Sequence, residues 1–267
     1  MSAPHVARID LYPIKGFDAV PVDRVTVLPS GALAGDRRWA FVDARDRFVN
    51  GKQYPAIHRI RTRVDPDGGT AVFDDAHFRL AGDASGVEGW LAERLGTTVR
   101  LEENPVAGFP DDTDSPGPTI VSTATLEAVA AWFDLAADQV RARFRANIEV
   151  GGVPAFWEDG FYGGTCTIGD PSDGGSAVEL IVVNPCARCS VPSRDARTGD
   201  PMIGFQKRFA ELRRATLPAG VDPAPFDHYY RLSANTRLAP ASVGGGIRVG
   251  DAIVARAAVD GEEPAAC

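Results

Sequence analysis

The stretch Val182–Pro201, VVNPCARCSVPSRDARTGDP, decides how the rest of the chain is read. It continues the apolar run Val178, Leu180, Ile181, whose β-branched content predicts a buried strand. Pro185 is expected to end that strand, leaving Cys186 and Cys189 on a turn at the edge of a sheet, where a rigid scaffold presents side chains to a cleft. A thiolate in such a place suits soft metals such as zinc, copper or molybdenum. Arg188 between the thiols and Arg194 after them favour the thiolate form.

The CxxC spacing alone leaves several readings open. A structural zinc site needs a second ligand pair, and neither Cys166 nor Cys267 has a partner two or three residues away. A thioredoxin-like pair is expected to open a helix, whereas Pro192 and the polar run SRDARTGD predict an extended loop. Two small buried residues at a strand end are a third reading, because unliganded cysteine is among the most buried residue types.

Composition narrows the class. A chain of 267 residues, 44% hydrophobic and 24% charged, can bury the core of one large or two small domains. A net charge of -8 argues against general nucleic-acid binding, which needs a basic excess to displace counterions from phosphates. Four cysteines do not make a disulfide framework, and no apolar leader or long apolar span is present. The expectation is a soluble, cytoplasmic protein without nucleic-acid or membrane partners.

Outward from the signature, alternation at Ala7, Ile9 and Leu11 predicts a first strand, and Lys15 beside Gly16 at its exit can reach an anion. Arg37 and Arg38 follow in a turn that by itself reads as surface. Ser85 and Glu88 suggest a capping box for a helix bearing Val87, Trp90, Leu91 and Leu95, closed by Gly96. The Pro- and Gly-rich stretch from Glu102 to Pro118 reads as a boundary between halves or a lid. Ser122 and Thr123 open a helix carrying Leu126, Val129, Ala130 and Phe133, and such a start offers free N–H groups and two hydroxyls to an anion. Arg145 and Asn147, alternate residues of a predicted strand, are expected on one face. Met202, Phe205, Phe209 and Leu212 predict an amphipathic helix, with Lys207, Arg208, Arg213 and Arg214 on a solvated face.

The signature NPCARCSVPSRDARTGDP resembles that of the MOSC domain family, whose pattern of CxRC followed by an acidic turn ending in TG is met by Cys186, Arg188, Cys189, Asp195, Thr198 and Gly199. YPIKG at 12–16, GDRRW at 35–39, FRANIEV at 144–150 and GIRVGD at 246–251 resemble further elements of the family. GKQYP at 51–55 departs from it, Ala146 stands where relatives carry proline, and His228 where they carry glutamine.

The resemblance implies a β-rich α+β fold of two modules, an N-terminal β-barrel domain over 1–105 and a MOSC β-barrel domain with a few helices over 106–267. It implies the molybdenum cofactor, molybdopterin with molybdenum, ligated by Cys189. Cys186 and Arg188 stand beside the metal, and Lys15, Arg37, Arg145 and Asn147 hold phosphate and pterin. His228 becomes a candidate proton donor on the substrate side. The implied activity is an oxidoreductase that reduces small N-hydroxylated or N-oxide substrates by oxygen-atom transfer. Electrons are expected from a separate ferredoxin, flavoprotein or cytochrome. The alternatives are a carrier of the cofactor, or of sulfur as a persulfide on Cys189, and a silent scaffold that has lost the metal.

Overall fold

The first strand, His5–Leu11, is buried at Val6, Ile9 and Leu11 while Ala7 is exposed, because a bulge between Val6 and Arg8 shifts its register. The strict alternation expected at Ala7 is therefore broken, since an extra residue in one strand flips the face that follows. This is a computed structural model, and it describes residues 2–66, 69–169 and 177–258; Cys267 lies outside the described residues.

His5–Leu11 belongs to an eight-stranded sheet. Across that sheet the strands run Ile253–Arg256, Thr165–Ile168, Val178–Ala187, Arg231–Leu238, Ile120–Ser122, Ile148–Gly151, His5–Leu11 and Val20–Val22. All neighbours are antiparallel except Ile120–Ser122 with Ile148–Gly151, which are parallel and so need a crossover. Two helices supply it, Thr123–Phe133 and Ala137–Phe144. The sheet curls until its first strand meets its last: Val6 N–H donates to Asp251 O (2.9 Å), and Ile253 N–H to Pro4 O (3.0 Å). Inside the curl lies a core of Val6, Ile9, Ile148, Val150, Leu180, Val182 and Ile253 among others.

A second core fills the N-terminal half. The pair Trp39–Asp43 and Val99–Glu103, the meander Thr62–Asp65, Thr70–Phe73 and Ala76–Arg79, and helix α1 (Ser85–Leu95) enclose it. Phe17, Phe41 and Phe73 meet there edge to face. Gly96 closes α1 in the left-handed region, as the sequence suggests, but the capping box does not form. Ala84 is the N-cap, and Glu88 instead accepts the Leu101 N–H (2.8 Å), tying the helix to the strand beside it.

The third core joins helices α2 (Thr123–Phe133) and α3 (Ala137–Phe144) to helix α4 (Phe205–Ala215) through Leu126, Val129, Phe144, Phe205 and Phe209. One expectation for α4 is corrected. Arg213 is buried, with its guanidinium paired to Asp159 and lying over the rings of Phe156 (4.4 Å) and Phe226 (5.0 Å). Lys207, Arg208 and Arg214 are exposed.

Candidate functional site

Pro185 does not end its strand. Val178–Ala187 runs through it, with Pro185 in register opposite Ala234 of the strand Arg231–Leu238 and the ladder irregular on either side of it. Cys186 therefore sits within the strand end, and Cys189 on the turn that follows.

That turn is held from two sides. Arg143, buried at the end of α3, donates to Pro192 O (3.1 Å) and to Arg194 O, and lies 3.6 Å from Asp195. Asp195 in turn accepts the N–H groups of Arg197 and Thr198 (both 2.9 Å). Burial alone would raise its carboxyl, but these amides and Arg143 hold it below the usual range. From the N-terminal half, Arg59 donates to Thr198 O (3.0 Å) and Arg61 to Ala196 O (3.3 Å). Gly199 has φ 78°, and a Cβ there would lie 2.7 Å from Pro55 O. The TG turn thus needs glycine both for its backbone and for its close approach to the turn Pro55–Arg59.

A cleft opens beside this turn. Its walls include Arg37, Asp111, Asp112, Thr119, Arg145 and Asn147, together with Cys186, Arg188 and Asn235. Tyr12 underlies two of the cations: the Arg37 guanidinium lies 5.3 Å and that of Arg145 4.1 Å from its ring centre. Arg37 has φ 47°, its N–H donates to Tyr12 O (2.9 Å), and its guanidinium pairs with Asp36. Lys15 donates to Phe109 O (2.9 Å) and pairs with Asp111. Burial outweighs that pairing and keeps the Lys15 ammonium below its usual value.

Arg145 and Asn147 both reach the cleft, although they do not share a strand. Arg145 is the left-handed C-cap of α3 (φ 54°), and the strand starts only at Ile148. The Arg145 guanidinium donates to Phe17 O (2.6 Å), and burial leaves it below its usual value despite Tyr12 and Asp111 nearby. Arg188 donates to Leu232 O (2.9 Å) and to the Ser233 hydroxyl. Among the described residues, neither arginine has a carboxylate within 4.0 Å. Asn147 is buried with its amide already engaged: Nδ2 donates to Asp10 O (3.1 Å), and Oδ1 accepts from Thr119 N–H (3.3 Å) and Arg37 (3.5 Å). It orients Arg37 and leaves little of itself free for a ligand.

Five expected site residues do not line the cleft, and one of them, Lys15, meets it only through Asp111. Ser122 is fully buried and caps α2, its hydroxyl accepting the Thr125 N–H (3.0 Å) and donating to Pro154 O (3.2 Å); neither it nor Thr123 lines the cleft. The helix start is closed by its own cap, so no free anion site remains there. His228 is exposed beside Asp227 and is not on the cleft wall. Cys189 is exposed, its sulfur accepting the Val191 N–H (3.4 Å), while the thiol that lines the cleft is Cys186. Cys166 is buried between strands, and burial pushes its thiol up to about 12.

The sequence did not point to Tyr12, Asp111, Asp112, Thr119 or Asn235. Tyr12 and Asp111 lie in stretches already singled out, the YPIKG element and the Pro-rich loop; Asn235 lies in a strand with no distinguishing pattern. A second hollow covers the outer face of the meander near Arg63, His77 and Arg79, but it is shallow and holds neither thiol.

Two guanidiniums with no carboxylate within 4.0 Å among the described residues, and a thiol on the same wall, fit an anionic group that carries a soft metal. Two family models match the chain, the MOSC N-terminal beta barrel domain over residues 3–135 and the MOSC domain over residues 118–254. Among solved structures the chain is similar to the YUAD protein from Bacillus subtilis, at 12% identity and a TM-score of 0.40 with 94% of each chain covered; at that score the likeness carries no argument. No curated protein matches.

Proposed function

The chain belongs to the MOSC domain family, which is associated with the molybdenum cofactor, and from that premise we propose that the cleft holds this cofactor in a molybdenum-dependent oxidoreductase. The observation that carries the reading is the pair of partly buried guanidiniums, Arg145 and Arg188, that face one cleft with no carboxylate within 4.0 Å among the described residues. A buried cation without an anion is costly, and a phosphate removes that cost with two-pronged hydrogen bonds.

Arg145 and Arg188 would grip the cofactor's anionic end, and Arg37, held by Asp36 and Asn147, would flank it. The thiol ligand comes from the signature turn. The family pattern assigns it to Cys189, and Cys186 stands one residue before Arg188 on the cleft wall. When bound, the cofactor supplies two-electron oxygen-atom transfer to small N-hydroxylated or N-oxide substrates. The protein's task is to fix the thiol through Arg143 and the TG turn, and to keep the cationic wall in place. Electrons come from a separate ferredoxin, flavoprotein or cytochrome. No helix is long and apolar enough to cross a membrane.

The test is molybdenum and released pterin per chain, in protein made with the cofactor available. Wild type is expected to carry near-stoichiometric metal, Cys189→Ala to lose it and Cys186→Ala to retain it. The opposite pattern for the two variants moves the ligand to Cys186, and wild type without molybdenum overturns the reading.

One observation favours a second reading. Cys189 is exposed and stands outside the cleft wall, as suits a persulfide carrier that hands sulfur to another protein. Turnover of an N-hydroxylated substrate with an artificial electron donor separates the two, since a carrier shows none.

A further inference from the structure

The loop from 106 to 118 lines the cleft along much of its length, as a strap fixed at both ends. Phe109 N–H donates to Arg37 O (2.9 Å) and Gly117 N–H to Thr236 O (3.0 Å). Between these points Arg237 donates to Asp114 O (2.6 Å), and the Phe109 ring meets Phe48 at 5.5 Å. At Gly108 (φ 64°) a Cβ would lie 2.6 Å from Asp36 O, so the strap is pressed against the turn that carries Arg37. The strap backbone is therefore not free to swing.

Its side chains differ in this respect. Asp112 is tied to the sheet, its Oδ2 accepting from Asn235 Nδ2 (3.2 Å). Asp111 points the other way and pairs with Lys15. The Lys15 side chain is 12% exposed, whereas that of Asp111 is 77% exposed. The cation is thus largely buried beside the cleft, and the anion, which lines the cleft, is open to solvent. Crowding by the loop takes some water from the Asp111 carboxyl and would raise it, but Lys15, Arg37 and Arg145 together hold it below its usual value, so all three cations feel its charge.

We infer that Asp111 is a built-in anionic latch, whose carboxylate occupies the Lys15 end of the cationic cradle and is displaced when a phosphate monoester binds there. The inference rests on reading the cleft as a phosphate cradle, as proposed above. Displacement needs only a side-chain rotation, because the strap is anchored through its backbone. The latch keeps the cradle neutralised while it is empty and selects ligands whose charge outcompetes one carboxylate. An exposed ion pair is weak, so the barrier to opening is small.

The experiment is titration calorimetry with inorganic phosphate on the full chain free of cofactor. Asp111→Asn is expected to bind phosphate roughly fivefold more tightly than wild type, the size of an exposed ion pair. Asp114→Asn makes the same change in net charge on the same loop, at an exposed side chain outside the cleft wall, and is expected to leave the affinity unchanged. Adding Arg145→Gln to the Asp111 variant should abolish the gain. Asp111→Ser repeats the test with a shorter side chain. Equal or weaker phosphate binding by both Asp111 variants, or an equal gain from Asp114→Asn, overturns the latch. Molybdenum content of wild type judges the cofactor reading separately. A metal-free wild type with the expected gain refutes that reading and keeps the latch, and a loaded wild type without the gain does the reverse.

Discussion

Glu158 shows how strongly the fold controls a single charge. It is buried, with one oxygen accepting from Ser122 N–H (3.2 Å) and the Thr125 hydroxyl (3.3 Å). Burial first, and the Asp159 charge next, raise its carboxyl from 4.5 to about 7. Between those values the folded chain keeps a proton that the unfolded chain has released. Stability is therefore fully present at the low end and falls as pH rises through the window, by on the order of 3 kcal/mol for this group. Glu158→Gln is always neutral, so its advantage over wild type in urea unfolding should grow by about that amount between pH 5 and pH 8. Parallel pH profiles for the two proteins would show that Glu158 does not titrate in this range.

Helix α4 shows the same tension between residues one element apart. Its Phe205 and Phe209 pack on α2 and α3 as the apolar spacing leads one to expect, yet the next turn buries Arg213 against Asp159 in the turn Trp157–Phe161. Two charges removed from water are tolerable only as a pair. Arg213→Met strands the Asp159 carboxylate and should cost about 3–5 kcal/mol in urea unfolding, with most of it recovered by adding Asp159→Asn. A single-variant loss below 1 kcal/mol, on the order of a solvent-exposed pair, would contradict the burial of this bridge. The end of α3 carries a functional counterpart. Within three residues the chain places Arg143 on the signature turn and Arg145 in the cleft, because the left-handed C-cap at Arg145 turns the backbone sharply before the strand begins.

At the scale of the whole molecule, the site lies where the two halves meet. His5–Leu11 pairs with Ile148–Gly151, and Arg59 and Arg61 brace the signature turn from the N-terminal half. We propose the division near residue 105 as a boundary between sequence modules rather than a place to cut the chain. A fragment of 106–267 leaves the Ile148–Gly151 strand with an open edge and should aggregate, whereas co-expression with 1–105 should return a monodisperse complex on size exclusion. A soluble, cooperatively folding 106–267 fragment would count against this. The sequence by itself determined the family, the β-rich class, the main helices and the identity of the signature turn, because short-range signals carry them: β-branched runs, apolar stripes at helical spacing, and a glycine where the backbone needs one. Arg37, Arg145 and Arg188, which line the cleft, were also legible, through motifs that keep their residues together. Only the tertiary structure decided that Cys186 rather than Cys189 lines the cleft, that Ser122 is closed in its own cap, that His228 stands apart, and that Asp111 pairs with Lys15. Those facts depend on strand register, on a strand that continues through Pro185 and on a strap that packs more than ninety positions along the chain from Lys15. No local pattern encodes which face of a distant element a side chain meets; the packing of the two halves does.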